Sequence, residues 1–320
     1  MGAGLRHAAR RRYTAPSVSR SRSKEPAISE KARVAVALIV NQLLASGTHL
    51  IAKGAISALG PLPVAVLRFA TATVAFLLLQ RLHPDRPRLA REDLGRVLLL
   101  GFLVVPVNQG CFLFGLAHTT PTHASLLYAL TPLVVFLMAR QLLGETRGRD
   151  KLIGIVTAFA GVAVILLERG LERELTVAAG DGIILVAVVA WAAYTVLSKP
   201  LLERYPPVMV TSWVIVAGSL MFLPAALLPG AIPPLEKQTL PVWGGILYLA
   251  IGTSVIAYPL WLYALRRLEA SRVAITANTQ PVITGVLSWL VFGERFSGVF
   301  LLGAALVLAG VTWVETRGTK

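Results

Sequence analysis

Neutral amides and aromatic rings, set inside long apolar runs, carry the chemistry this sequence can do. Asn41 and Gln42 are adjacent in the first run, Asn108 and Gln109 in another, and Asn278, Thr279 and Gln280 follow one another in a third. Tyr128 lies in a further run; Trp191 and Tyr194 share one, and Tyr258 and Trp261 share one. Thr48, Thr195 and Thr276 add hydroxyls. An amide side chain both donates and accepts hydrogen bonds, and a ring face stacks on apolar or cationic groups. Such a set binds and orients a small molecule. Its structural alternative is glue, because polar side chains also tie membrane helices together by hydrogen bonds worth roughly 0.6 kcal/mol on average. For the rings the alternative is core packing or an interfacial belt. Arg68 is the one basic residue deep in an apolar run. It reads as a partner for a substrate carboxylate, or as a guanidinium that snorkels or bonds to carbonyls.

The groups that catalysis needs do not assemble in the sequence. The single cysteine, Cys111, lies in an apolar run, and none of the five histidines stands in a His-Glu-x-x-His frame. No cofactor or metal is expected, and the chain does not read as an enzyme. Asp and Glu fall in tails, loops or span boundaries rather than mid-span. That argues against a proton relay built on buried carboxylates. Movement of a substrate down its gradient, or exchange, is the expectation.

The elements that hold these residues are membrane helices. Of 320 residues, 55% are hydrophobic and 15% charged, whereas a soluble domain carries about a quarter charged residues. A helix crosses a bilayer with about 20 mostly apolar residues. The sequence predicts ten such helices, at 34–52, 61–80, 97–117, 121–140, 151–167, 182–201, 208–228, 242–265, 270–292 and 298–315. Strict apolar–polar alternation in short segments is not seen, which argues against a β-barrel. The fold class is therefore an all-α polytopic membrane protein.

The formal net charge of +15 is explained by topology rather than by nucleic acid. With the N-terminus inside, 25 of the 31 Lys and Arg residues fall in cytoplasmic segments and five outside, among them Lys53 and Arg295. Without the N-terminal tail the bias is still 16 against five. Both termini are expected in the cytoplasm, in a multi-pass protein of the cell membrane, read as a bacterial inner membrane. Residues 1–32 read as a disordered basic tail.

Residues 126–162 repeat at 275–311, shifted by 149. Pro132 meets Pro281, Gly144-Glu145 meets Gly293-Glu294, Gly154 meets Gly303, and Ala160-Gly161-Val162 meets Ala309-Gly310-Val311. One ordered set at one offset indicates duplication. The units are a first repeat over 33–168, a connector over 169–180 and a second repeat over 181–316. Five spans per repeat put the copies upside down relative to each other, a transporter arrangement with its site near the midplane. Pro132 and Pro281 interrupt spans and read as hinges. The small residues Gly154, Ala158 and Gly161, with Gly303 and Gly310, read as close helix packing.

The stretches "THASLLYALTPLVVFLMARQLLGE" and "ASRVAITANTQPVITGVLSWLVFGE", each followed by a Gly-rich helix, resemble the drug/metabolite transporter superfamily, EamA type. "NQLLASGTHLIAKGAI" and "NQGCFLFGLAHTTPTHAS" are also similar to its plant WAT1-like branch. Asn41-Gln42 and Ser46-Gly47 stand where many bacterial members have a Trp-Gly pair. The resemblance implies ten helices, both termini inside, and a central cavity lined by helices 1, 3, 4, 6, 8 and 9. It also implies export or exchange of amino acids, related metabolites or drugs. A small-molecule substrate and the lipid bilayer are the expected partners, nucleic acid is not, and homodimer formation is left open. Uptake on the same fold is the main rival to export; a channel or scaffold is the rival class.

Overall fold

In a computed structural model, residues 29–83, 87–119, 121–145, 148–169, 175–292 and 297–317 are described. Residues 1–28 of the expected tail, residues 170–174 of the expected connector, Glu294 and Arg295 lie outside them; helix begins already at Glu30, inside the expected tail, and again at Leu175, inside the expected connector. Most of the described residues are helical, because in lipid each backbone N–H and C=O must be paired within its own segment.

Helix α1 (Glu30–Leu59) begins where the Ser29 side chain accepts from Ala32 N at 3.2 Å, and ends at Gly60 with φ 86°. Helix α2 (Pro61–Leu82) starts on a proline, which gives up no needed N–H at a first turn. Helices α3 (Arg91–Phe102) and α4 (Cys111–His118) are joined through a π-helical segment, Leu103–Gly110. Helices α5 (Pro121–Tyr128) and α6 (Thr131–Leu142) are separated by a turn. Helix α7 (Arg149–Arg169) precedes α8 (Leu175–Arg204) and α9 (Pro207–Phe222). Helices α10 (Leu240–Leu247) and α11 (Tyr258–Leu265) flank a second π-helical segment, Tyr248–Ala257. A 3-10 turn, Thr276–Thr279, links α12 (Ala270–Ile275) to α13 (Gln280–Phe292), and α14 (Gly298–Arg317) follows.

Among the described residues, six helical stretches are long and apolar enough to cross a membrane: Glu30–Leu59, Pro61–Leu82, Arg91–His118, Ala179–Arg204, Pro207–Leu227 and Leu240–Leu265. Thr131–Leu142 and Leu301–Val314 are shorter apolar helices. The first helix runs past the expected end at residue 52, so Lys53 is a helical residue rather than a loop residue. The expected spans at 121–140 and 270–292 are each broken near the middle.

These breaks follow the sequence repeat. The turn at 129–130 precedes Thr131-Pro132, and the 3-10 turn precedes Gln280-Pro281, 149 residues later. Both prolines thus stand in the first turn of a half-helix. Helices α7 and α14 show the pairing of the two copies most directly. A Cβ on Gly154 would meet the Gly310 carbonyl at 2.7 Å, and one on Gly161 would meet the Gly303 carbonyl at 2.5 Å. As residue numbers rise along α7 they fall along α14, so these equivalent helices run antiparallel in backbone contact.

Helix α1 shows which way the site faces. Val36, Ile39 and Leu43 are exposed, while Asn41, Gln42, Ser46, Thr48 and His49 are buried. Large apolar side chains point outward and polar ones inward. In a bilayer this is the low-energy orientation, because amides facing lipid would lose their hydrogen bonds.

Candidate functional site

The inward faces of these helices line a cavity of about 70 Å³. Its wall includes Asn41, Thr48 and His49 of α1, Asn108 and Gln109 of the first π segment, and Phe112 of α4. Tyr128 of α5, Trp191 of α8, Thr253, Tyr258 and Trp261 of the Tyr248–Leu265 rod, and Gln280 complete it.

Two Asn-Gln pairs organise the polar side of this wall in the same way. In the first, Asn41 Nδ2 donates to the Ala257 carbonyl at 2.8 Å. A carbonyl only accepts, so this bond fixes the amide, leaving Asn41 Oδ1 to accept from Gln42 Nε2 at 3.2 Å. Gln42 Nε2 also donates to Thr276 Oγ1 at 2.9 Å, and Gln42 Oε1 accepts from Gln280 Nε2 at 2.9 Å. In the second, Asn108 Nδ2 donates to the Ala187 carbonyl at 2.7 Å and to the Tyr128 hydroxyl at 2.9 Å. Asn108 Oδ1 accepts from Gln109 Nε2, and Gln109 Oε1 accepts from Arg68 Nη1 at 2.6 Å. The first π segment carries the second pair. A π turn widens the helix, and such turns are frequent at functional sites.

Arg68 is fully buried and stands behind the wall rather than in it. Its Nε and Nη2 each lie 3.3 Å from Ser254 Oγ, and its guanidinium carbon is 5.3 Å from the Phe69 ring centre. Among the described residues no carboxylate pairs with it. It reaches the cavity through Gln109.

The rings form the floor. Trp191 packs against Tyr194, Tyr258 and Trp261 with centroids 5.3, 5.0 and 5.8 Å apart, and Trp261 Nε1 donates to Thr195 Oγ1 at 3.2 Å. Further along α8 lies a second space of about 470 Å³, bordered by Glu145, Lys199, Glu203, Arg266 and Glu269. Glu145 also joins the two repeats there. Gly144 turns the chain at φ 68°, and the Glu145 carboxylate then accepts from Ala270 N at 2.6 Å and Ser271 N at 3.3 Å, at the start of α12. Beside it, Lys151 pairs with Glu269.

Of the residues expected to line a cavity, Asn41, Asn108, Gln109, Tyr128, Trp191, Tyr258, Trp261 and Gln280 come together. Gln42 braces the wall from behind, and Tyr194 is buried beneath Trp191. Asn278 does not join them. It is fully buried, and neither of its amide atoms has a hydrogen-bond partner. In the 3-10 turn it is two positions from Thr276, and each position rotates the face by about 120°, so the two do not share a face. Sequence reasoning missed His49, Phe112 and Thr253. The signal for His49 was an ionisable side chain inside an apolar run. Lys53, assigned by charge counting to an outside loop, donates to the Leu116 and Thr119 carbonyls, both at 2.8 Å, at the end of α4.

The model of the EamA-like transporter family matches residues 33–167 and again 178–316. An uncharacterized transporter of Bacillus subtilis (strain 168), YyaM, is 27% identical over 279 residues, covering 86% of this chain and 91% of its own length. A probable terminal-alkyne amino-acid exporter of Streptantibioticus cattleyicolor is 30% identical over 232 residues, covering 72% of this chain and 76% of its own. A solved crystal structure superposes with a TM-score of 0.74 at 19% identity, over 90% of this chain and 98% of that one.

Proposed function

The chain belongs to the EamA-like transporter family, and on that premise we propose that it exports small organic metabolites, amino acids and related compounds, by alternating access. The helical membrane protein crosses the cell membrane ten times with both termini in the cytoplasm, as two inverted repeats over 33–168 and 181–316. The antiparallel contact of α7 with α14 supports the inversion. The cytoplasmic surplus of Lys and Arg supports the orientation. The amino-acid class draws on the name of the Streptantibioticus relative.

One observation carries the reading. A small cavity lies between the halves, walled by Asn41, Asn108 and Gln109 from one and by Thr253, Tyr258 and Gln280 from the other. Tyr128 accepts from Asn108, so its own O–H is left to donate to a substrate oxygen. The Arg68 charge behind Gln109 favours a carboxylate there. The aromatic floor lines this cavity and not the larger charged space; it acts as the inner gate, with Pro132 and Pro281 as hinges. Every Asp and Glu of the described residues lies at or near a helix end, which supports downhill movement or exchange rather than carboxylate-coupled proton antiport.

Purified protein in liposomes loaded with a mixture of labelled amino acids tests this. Saturable efflux, accelerated by unlabelled amino acid outside, is the expected result. Stepwise single-channel currents, or no flux of any amino acid, would contradict it.

A further inference from the structure

His49 is the buried titratable side chain of the wall that the Asn-Gln pairs leave half used. It is 4% exposed. Its ring stands edge-on to Phe112 and Tyr128, with centroids 5.4 and 5.7 Å apart. Its Nε2 lies 3.5 Å from Gln280 Oε1, and its Nδ1 has no hydrogen-bond partner.

The hydrogen-bond chain fixes which nitrogen carries the proton. The Ala257 carbonyl must accept, so Asn41 presents its nitrogen there and its oxygen to Gln42. Gln42 therefore presents Nε2 to Asn41 and Oε1 to Gln280. Gln280 spends its Nε2 on Gln42 and turns Oε1 toward His49. An acceptor facing Nε2 requires the Nε2–H form of the ring. Nδ1 is then a bare lone pair, buried at the cavity wall, where an unmet acceptor is costly.

We propose that His49 Nδ1 is the site's receptor for a hydrogen-bond donor of the transported molecule, an ammonium N–H or a hydroxyl. With Tyr128 O–H as the neighbouring donor, the wall offers a donor and an acceptor side by side. A substrate bearing both an oxygen acceptor and an N–H or O–H donor meets the two together. This rests on the transporter reading for its physiological substrate, but the acceptor itself is testable without one.

The full chain in nanodiscs, labelled with 15N-histidine, gives the direct test. The His49 signal is identified by its loss in His49→Gln. The expected spectrum is an Nε2–H ring with bare Nδ1, and the Nδ1 signal shifts saturably with methylammonium but not with tetramethylammonium, which has no N–H. An Nδ1–H ring, or equal response to both cations, overturns the proposal. Flux of labelled L-alanine, L-threonine and L-phenylalanine adds the second arm. His49→Asn keeps an acceptor near Nδ1 and is expected to hold KM within about threefold, while His49→Gln raises it about tenfold, the loss of roughly one hydrogen bond. Equal KM in wild type and His49→Gln would also overturn it. Absence of amino-acid flux in wild type would instead strike the proposed function and leave the 15N result to decide His49.

Discussion

Gln280 donates through Nε2 to Gln42 Oε1 at 2.9 Å, joining side chains 238 residues apart in sequence and in different repeats. The bond belongs to a chain running from the Ala257 carbonyl through Asn41 and Gln42 to Gln280. Removing one member strands its partner, and an unsatisfied buried polar group costs about 1–3 kcal/mol. Gln42→Leu and Gln280→Leu should each lower Tm in detergent. The double substitution should lower it by less than the sum, because both remove one interaction. Strictly additive shifts would show that the two amides do not depend on each other.

Arg68 tests the electrostatic part of the site. Arg68→Gln removes the charge while keeping a donor near Gln109. The expected result is a KM for carboxylate-bearing substrates raised roughly tenfold, about 1.4 kcal/mol, with little change for a neutral amide analogue. An equal rise for both would assign Arg68 to holding Gln109 in place and nothing more.

Trp191 tests the floor. It touches Tyr194, Tyr258 and Trp261, and each such ring pair is worth about 0.5–1.5 kcal/mol beyond area burial. Trp191→Ala should open a path between the cavity and the charged space beyond it. Liposomes carrying the variant should leak substrate without needing exchange. A leak rate equal to wild type would remove Trp191 from the gate.

Glu145 tests the link between the repeats at the same end. Glu145→Ala strands the N–H groups of Ala270 and Ser271, whereas Glu145→Gln keeps an acceptor. Transport should fall by about tenfold in Glu145→Ala, on the scale of one charge-assisted hydrogen bond of roughly 1.5–3 kcal/mol, and less in Glu145→Gln. Equal activity in both variants and wild type would make the contact incidental.

Gly161 tests the α7–α14 contact. A Cβ there would lie 2.5 Å from the Gly303 carbonyl and 2.7 Å from Val307 N. Backbone cannot retreat as a side-chain tip can, so Gly161→Ala should lower Tm by several degrees, on the order of 1–3 kcal/mol of overpacking. Gly54, whose Cβ position is open, serves as the control. Equal Tm for Gly161→Ala and Gly54→Ala would contradict the packing.

Much of this was readable from residues because it rests on local pattern. Apolar length marked the long helices, and the Pro132/Pro281 offset marked the matching breaks. Adjacent Asn and Gln in apolar runs marked the wall, since polar groups there need protein or water around them. What stayed hidden depends on contacts between distant segments or on local winding. Asn278 was expected in the cavity; the residues that line the cavity do not include it, and it lies in a 3-10 turn off the face of Thr276. Lys53 looked like a loop charge because nothing in its neighbourhood announces the carbonyls of Leu116 and Thr119. His49 was passed over, since one histidine in an apolar helix gives no sign of which nitrogen is spoken for.

Cys111 is the sole cysteine, which allows the most direct test of the transport path. Ala45 lines the cavity, so a Cys111→Ser, Ala45→Cys chain carries one thiol at the proposed site. In liposomes, methyl methanethiosulfonate should block amino-acid flux through this variant, and transported amino acid should slow the labelling. Full flux through the labelled protein, or labelling that substrate does not slow, would contradict passage through this cavity.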